Sequence, residues 1–88
     1  MRKLDITRDA LKFLRELQAK QYRQVAQKML ALLSDPLPAD ASQLKGHDYW
    51  RADIGEYRIV YTFDEEIVYV YIIGKRNDDE VYRKLGRT

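Results

Sequence analysis

The chain has 88 residues, with 16 Lys and Arg against 14 Asp and Glu, one histidine and no cysteine. That length supports one modest hydrophobic core and not two, so residues 1–88 are expected to form a single domain. The lack of thiols excludes disulfides, thiolate metal sites and cysteine nucleophiles.

No apolar run is long enough to span a bilayer, and the start Met1 to Ile6 lacks a signal peptide's apolar stretch. A soluble, cytoplasmic protein without membrane contact is therefore expected. The charge is unevenly spread. Residues 1–34 carry eight basic against three acidic side chains, residues 35–66 three against eight, and residues 67–88 five against three. A basic segment fits nucleic acid, and a solvated basic helix face explains the first third equally well.

In chain order, Arg2 to Ile6 alternates polar and apolar residues, as an edge strand does. Thr7 offers a hydroxyl N-cap. From Arg8 to about Ala19, Leu11, Leu14 and Leu17 recur with Ala10 and Phe13 at helical spacing. A second helix follows, with Tyr22, Val25, Ala26, Met29, Leu30 and Leu33 forming the stripe expected to face the core. The run Ser34-Asp-Pro-Leu-Pro38 ends it, because proline lacks the N–H that a helix needs and restricts the residue before it. Residues 39–48 read as a loop.

Tyr49 to Tyr61 then reads as two short strands joined by a tight turn at Gly55-Glu56. Strand side chains alternate, so Trp50, Ala52 and Ile54 point to one face and Tyr49, Arg51 and Asp53 to the other. In the second strand Tyr57, Ile59 and Tyr61 alternate with Arg58, Val60 and Thr62. Arg51 and Arg58 share a face if the hairpin register allows it. Asp64-Glu65-Glu66 makes an acidic turn, and Ile67 to Ile73 is apolar on both faces, as a covered central strand is. Gly74 to Asn77 leaves the sheet, and Asp78 to Leu85 reads as a short helix, acidic at its start and basic at its end. The order β-α-α-β-β-β with a short C-terminal helix predicts an α+β fold, two helices packed on one face of a small, mostly antiparallel four-stranded sheet. Leu14, Leu17, Val25, Met29, Leu33, Val60, Val68, Val70 and Ile72 are the expected core.

The other face of the sheet is left for chemistry. The only histidine, His47, sits in a loop without a matching serine motif, no His/Asp/Glu spacing suits a metal, and no glycine-rich loop suits a nucleotide. What remains is a group of arginines and tyrosines: Arg51, Arg58, Arg76 and Tyr82, with Lys75 adjacent. Guanidinium groups recognise phosphate and stabilise charge building on it, and a nearby tyrosine can exchange a proton. In the plainer reading Tyr82 packs on the sheet and Arg76 pairs with Asp78 or Glu80.

Gly55-Glu-Tyr-Arg-Ile-Val-Tyr61, Ile73-Gly-Lys-Arg76 followed by Glu80-Val-Tyr82, and Leu44-Lys-Gly46 together resemble the RelE/ParE toxin superfamily, in particular its RelE-like branch. The resemblance covers nearly the whole chain. It implies the toxin of a type II toxin–antitoxin pair, an endoribonuclease that inhibits translation by cutting mRNA in the ribosomal A site without a metal or other cofactor. It implies a cognate antitoxin, the ribosome and mRNA as partners. The resemblance places Arg58 and Arg76 as the phosphate-stabilising arginines and Tyr82 as the acid/base group, with Arg51 near a strand lysine of the family. Lys45, Lys75 and Arg83 are the expected RNA contacts. Asp53 departs from the family pattern, which has a basic residue there, and arginine at 51 cannot act as a base as a lysine can. The alternative is a non-catalytic module of the same fold, either a ParE-like inhibitor of DNA gyrase or an inactive toxin relative.

Overall fold

The computed structural model describes residues 1–44, 46 and 48–76. Its elements are β1 (Lys3–Ile6), α1 (Arg8–Arg15), α2 (Ala19–Ser34), β2 (Ser42–Gln43), β3 (Trp50–Ile54), β4 (Tyr57–Phe63) and β5 (Ile67–Lys75). The strands form one sheet in the order β1-β5-β4-β3-β2, with β1 parallel to β5 and every other pair antiparallel. The sheet has five strands where the sequence predicts four. The extra one, β2, is two residues long and pairs Ser42 with Arg51 and Gln43 with Trp50 inside the segment expected to be loop. Two residues carry no readable alternation, so periodicity could not find it.

Thr7 caps α1 as expected. Its hydroxyl oxygen accepts from the Ala10 amide at 3.1 Å and donates to the Tyr71 carbonyl at 2.7 Å, so the cap also ties the helix to β5. α1 stops at Arg15, short of Ala19. In α2 the buried stripe is Val25, Met29, Leu32 and Leu33, not the full predicted set. Tyr22 is 44% and Leu30 56% exposed, while Leu32 is fully buried. The second half of α2, Met-Leu-Ala-Leu-Leu, is apolar nearly all round, so two helical phases fit it and packing on the sheet selects one.

The hairpin forms with Ile54 opposite Tyr57, which leaves Gly55 and Glu56 as a two-residue connection. Gly55 has φ +58° and Glu56 is not among the positive-φ residues, the combination of a type II′ turn, whose backbone twist matches that of the flanking strands. Asp64 closes the next turn through its Oδ1, which accepts from the Glu66 and Ile67 amides at 2.7 and 2.9 Å.

Between the helices and the sheet lies the main core, in which Leu14, Val25, Leu32, Ala52, Ile59, Tyr61, Val68, Val70 and Ile73 are buried and Leu17 is half-buried at the margin. Tyr61 sends its hydroxyl out of this core to donate to the Pro36 carbonyl at 2.5 Å, pinning the segment after α2. Asp40 in the same segment pairs with Lys28 at 2.8 Å. A smaller cluster covers part of the opposite face: Leu44, Val60 and Ile72 are buried there, with Tyr49 and Tyr71 packed against them. Tyr49 stacks on Tyr71 with centroids 4.9 Å apart. β5 is therefore covered on both faces only around Ile72, because Ile67, Tyr69 and Tyr71 stay half-exposed.

One irregularity in the β4–β5 ladder decides which face the end of β5 presents. Val60 pairs with Ile72 and Tyr61 with Val70, so Tyr71 is an extra residue in β5 without an opposite number. The bulge reverses the alternation, turning Ile72 to the far face and Ile73 to the helix side.

Candidate functional site

The β3–β4 register puts Asp53 directly opposite Arg58 and Arg51 opposite Val60. Opposed residues share a face, so Arg51, Asp53 and Arg58 all stand on the side away from the helices. On the other flank of β4, Arg58 is opposite Gly74, which has no side chain, and the ladder continues one step as the Arg76 amide donates to the Glu56 carbonyl at 2.9 Å. By alternation Arg76 comes out on the same side as Arg58, exposed at the end of β5. Three of the four sequence-predicted catalytic positions thus converge on one corner of the sheet.

Within that corner Arg58 grips Asp53 as a fork. Its Nε donates to Oδ1 at 2.7 Å and a terminal nitrogen donates to Oδ2 at 3.2 Å. The side chains are 12% exposed for Arg58 and 32% for Asp53. The Arg58 hydrogen bond holds the Asp53 carboxyl below the usual carboxylate range, against the opposing effect of partial burial, and the charges of Arg58, Arg76 and Arg51 add to the lowering. Asp53 therefore lies inside a field of three guanidinium groups. The sequence marks Asp53 as a departure from the family pattern but gives no sign of this pairing, which depends on a register that only the folded hairpin supplies.

Lys75 is exposed and paired with Tyr57, whose ring packs edge-on against Phe13 on the helix side. It therefore leaves the sheet toward the helix layer and away from the arginine corner. Tyr82, Arg83 and Lys45, together with the expected C-terminal helix, lie outside the described residues. Beside the arginines, Tyr49, Tyr71 and Leu44 form an aromatic and aliphatic floor that sequence reasoning missed. Leu44 reads as a loop residue, yet its amide donates to the Tyr49 carbonyl at 2.9 Å and its side chain is buried. Burial, and next the neighbouring Tyr71, push the Tyr49 hydroxyl above the ordinary tyrosine range, so it stays neutral. Among the described residues no group of three His, Cys, Asp or Glu could hold a metal ion, and no helix is long and apolar enough to cross a membrane. A corner of guanidinium groups next to flat aromatic surface suits an oxyanion carried on a base-bearing chain.

Residues 4–80 match the family described as ParE toxin of type II toxin–antitoxin system, parDE. The chain belongs to this family. Solved structures place this RelE/ParE toxin in the RelE-like branch. The free E. coli toxin RelE carrying two arginine-to-alanine substitutions is 30% identical, covers 98% of this chain and 95% of its own, and superposes with a TM-score of 0.78. RelE in the intact E. coli RelBE toxin–antitoxin complex is 31% identical over 85% of this chain and 96% of its own, with a TM-score of 0.72. The archaeal RelE–RelB complex from Pyrococcus horikoshii OT3, at 24% identity over 85% and 94% of the two chains and a TM-score of 0.75, shares the fold. None of the curated proteins compared matches the RelE/ParE toxin described here.

Proposed function

We propose that this RelE/ParE toxin is a ribosome-dependent, metal-independent endoribonuclease that cuts mRNA at A-site codons and is held inactive by a cognate antitoxin. The observation that carries the reading is the convergence of Arg51, Arg58 and Arg76 on one corner of the sheet. In the reaction a ribose 2′-oxygen attacks the adjacent phosphorus, its proton passes to a base, and the P–O bond to the 5′-oxygen breaks as that oxygen takes a proton from water. The products are a 2′,3′-cyclic phosphate and a 5′-hydroxyl. Arg58 and Arg76 stabilise the negative charge that builds on the phosphate oxygens, Arg51 holds a neighbouring phosphate, and Tyr82 serves as the base. Lys45, Lys75 and Arg83 add RNA contacts outside the reacting group. The antitoxin reading rests on relatives solved as RelBE and RelE–RelB complexes.

Purified protein, ribosomes and a translated message, read by primer extension, test the proposal. Cuts confined to A-site codons are expected. Two observations favour a second reading as a ParE-like gyrase inhibitor: the family match is to ParE toxins, and Asp53 neutralises one of the arginines. A protein that cuts no message yet inhibits gyrase supercoiling establishes that reading instead.

A further inference from the structure

We propose that Asp53 is a built-in competitor for the substrate phosphate, occupying the Arg58 fork so that RNA must displace a carboxylate to reach it. The inference rests on taking the arginine corner as the RNA site and adds to it a residue that sets affinity. A carboxylate and a phosphate present a similar pair of oxygens to a guanidinium, so the two compete for the same donors. Arg58 gives both its Nε and a terminal nitrogen to Asp53, and its side chain is only 12% exposed, which leaves little of the fork for a second anion while the pair stands. The pair joins residues directly opposite on the β3–β4 ladder, so the hairpin register itself brings the two side chains together. Asp53 keeps 32% of its side chain in contact with solvent, and ion pairs reached by water are weak enough to exchange. Arg51 and Arg76 are also near enough for their charge to be felt at Asp53, so the carboxylate sits within the positive field of the corner.

A purely structural Asp53, present to fix the hairpin register, predicts the opposite behaviour. Its removal would lower stability and leave RNA affinity equal or worse. The test uses the full chain, with anisotropy of a single-stranded RNA oligonucleotide methylated at every 2′-oxygen so that it cannot be cut, alongside thermal unfolding. Asp53→Asn should bind about three- to tenfold tighter than the parent, the scale of relieving one partly screened like-charge contact. Its log affinity against log salt should steepen by roughly 0.7, one further phosphate contact on a single strand. Adding Arg58→Gln to Asp53→Asn should abolish the gain. Glu56→Gln, which removes the same charge from the turn, should tighten binding less and leave the salt slope unchanged.

Equal gains in Asp53→Asn and Glu56→Gln, a gain that survives Arg58→Gln, or no measurable binding by Asp53→Asn each overturn the proposal. Ribosomal cleavage separates this outcome from the broader reading. A parent that cuts messages while Asp53→Asn binds no tighter keeps the nuclease and sinks the competitor. A parent that cuts nothing, with binding tightened through Arg58, does the reverse.

Discussion

Thr7 and Tyr71 are joined by a hydrogen bond that couples a helix cap to a β-bulge: the Thr7 hydroxyl donates to the carbonyl of the residue that the β4–β5 register skips. The neighbouring Thr7 amide donates to the Val70 carbonyl at 3.1 Å, so both sides of the bulge entrance are held from β1's end. Without the extra residue the ladder would run on with Tyr71 opposite Val60, and Arg76 would emerge on the helix side of the sheet. The side of the sheet on which Arg76 emerges therefore depends on the bulge at Tyr71, which Thr7 holds from the far end of β1.

Thr7→Val keeps the volume and removes the hydroxyl. It should cost about 1–3 kcal/mol, the sum of a lost N-cap and a carbonyl left without its donor. Urea denaturation measures the loss, and a change under about 0.3 kcal/mol would mean that water replaces both bonds.

The phase of α2 is checked by two neighbouring leucines. Leu32→Ala should cost about 2–5 kcal/mol because Leu32 is fully buried, whereas Leu30→Ala, at 56% exposed, should stay within about 0.5 kcal/mol. A larger loss at Leu30 than at Leu32 would show that the helix packs in the phase the sequence pattern predicts.

Tyr61 should mark the alkaline limit of the fold. Burial pushes its hydroxyl up to about 12, with the nearby Asp40 and Asp35 charges adding to the effect. The folded value lies above the unfolded one near 10, so the native state retains this proton more tightly. The stability it contributes is fully present below pH 10 and is lost as pH rises through about 12. Tyr61→Phe should lower neutral stability by about 1 kcal/mol through loss of the Pro36 bond and flatten the fall above pH 10 relative to the parent. Unfolding curves at a series of alkaline pH values give both quantities.

For the chemistry, Arg76→Ala and Tyr82→Phe should each slow single-turnover cleavage on the ribosome by roughly 10²-fold or more, the usual scale for losing a charge stabiliser or an acid/base group. Ribosome binding should survive both, since neither removes most of the contact area. Unaltered cleavage by Tyr82→Phe would keep the nuclease and reassign the base.

Local patterns were legible in the sequence, and those that depend on pairing between strands were not. The Thr7 cap, Ala10 and Leu14 of the α1 stripe and the Gly55 turn each depend on a few adjacent residues, and these stand in the structure, although α1 ends before Leu17. The alternation in β3 and β4 separated Trp50, Ala52 and Ile54 from Arg51 and Asp53 correctly, since the helix-side core contains the first set. The bulge at Tyr71 was not visible, because a run that is apolar on both faces shows no break when its alternation slips by one residue. The same uniformity hid the phase of α2. Leu44 and the Asp53–Arg58 pair required the register between strands, which a linear pattern does not contain.

The pairing of β1 with β5 joins Lys3 to Ile67 and Ile6 to Val70, bringing the two ends of the described chain together. β5 is also the strand on which α1 and β4 pack, so the elements made before it wait for it. During synthesis the helices can form, but their apolar stripes have no sheet to close on until Ile67–Lys75 has emerged. A nascent chain interrupted before Ile67 lacks both the closing strand and Arg76. For a protein proposed to attack translation, the topology delays assembly of the arginine corner until Ile67–Lys75 and Arg76 have been made.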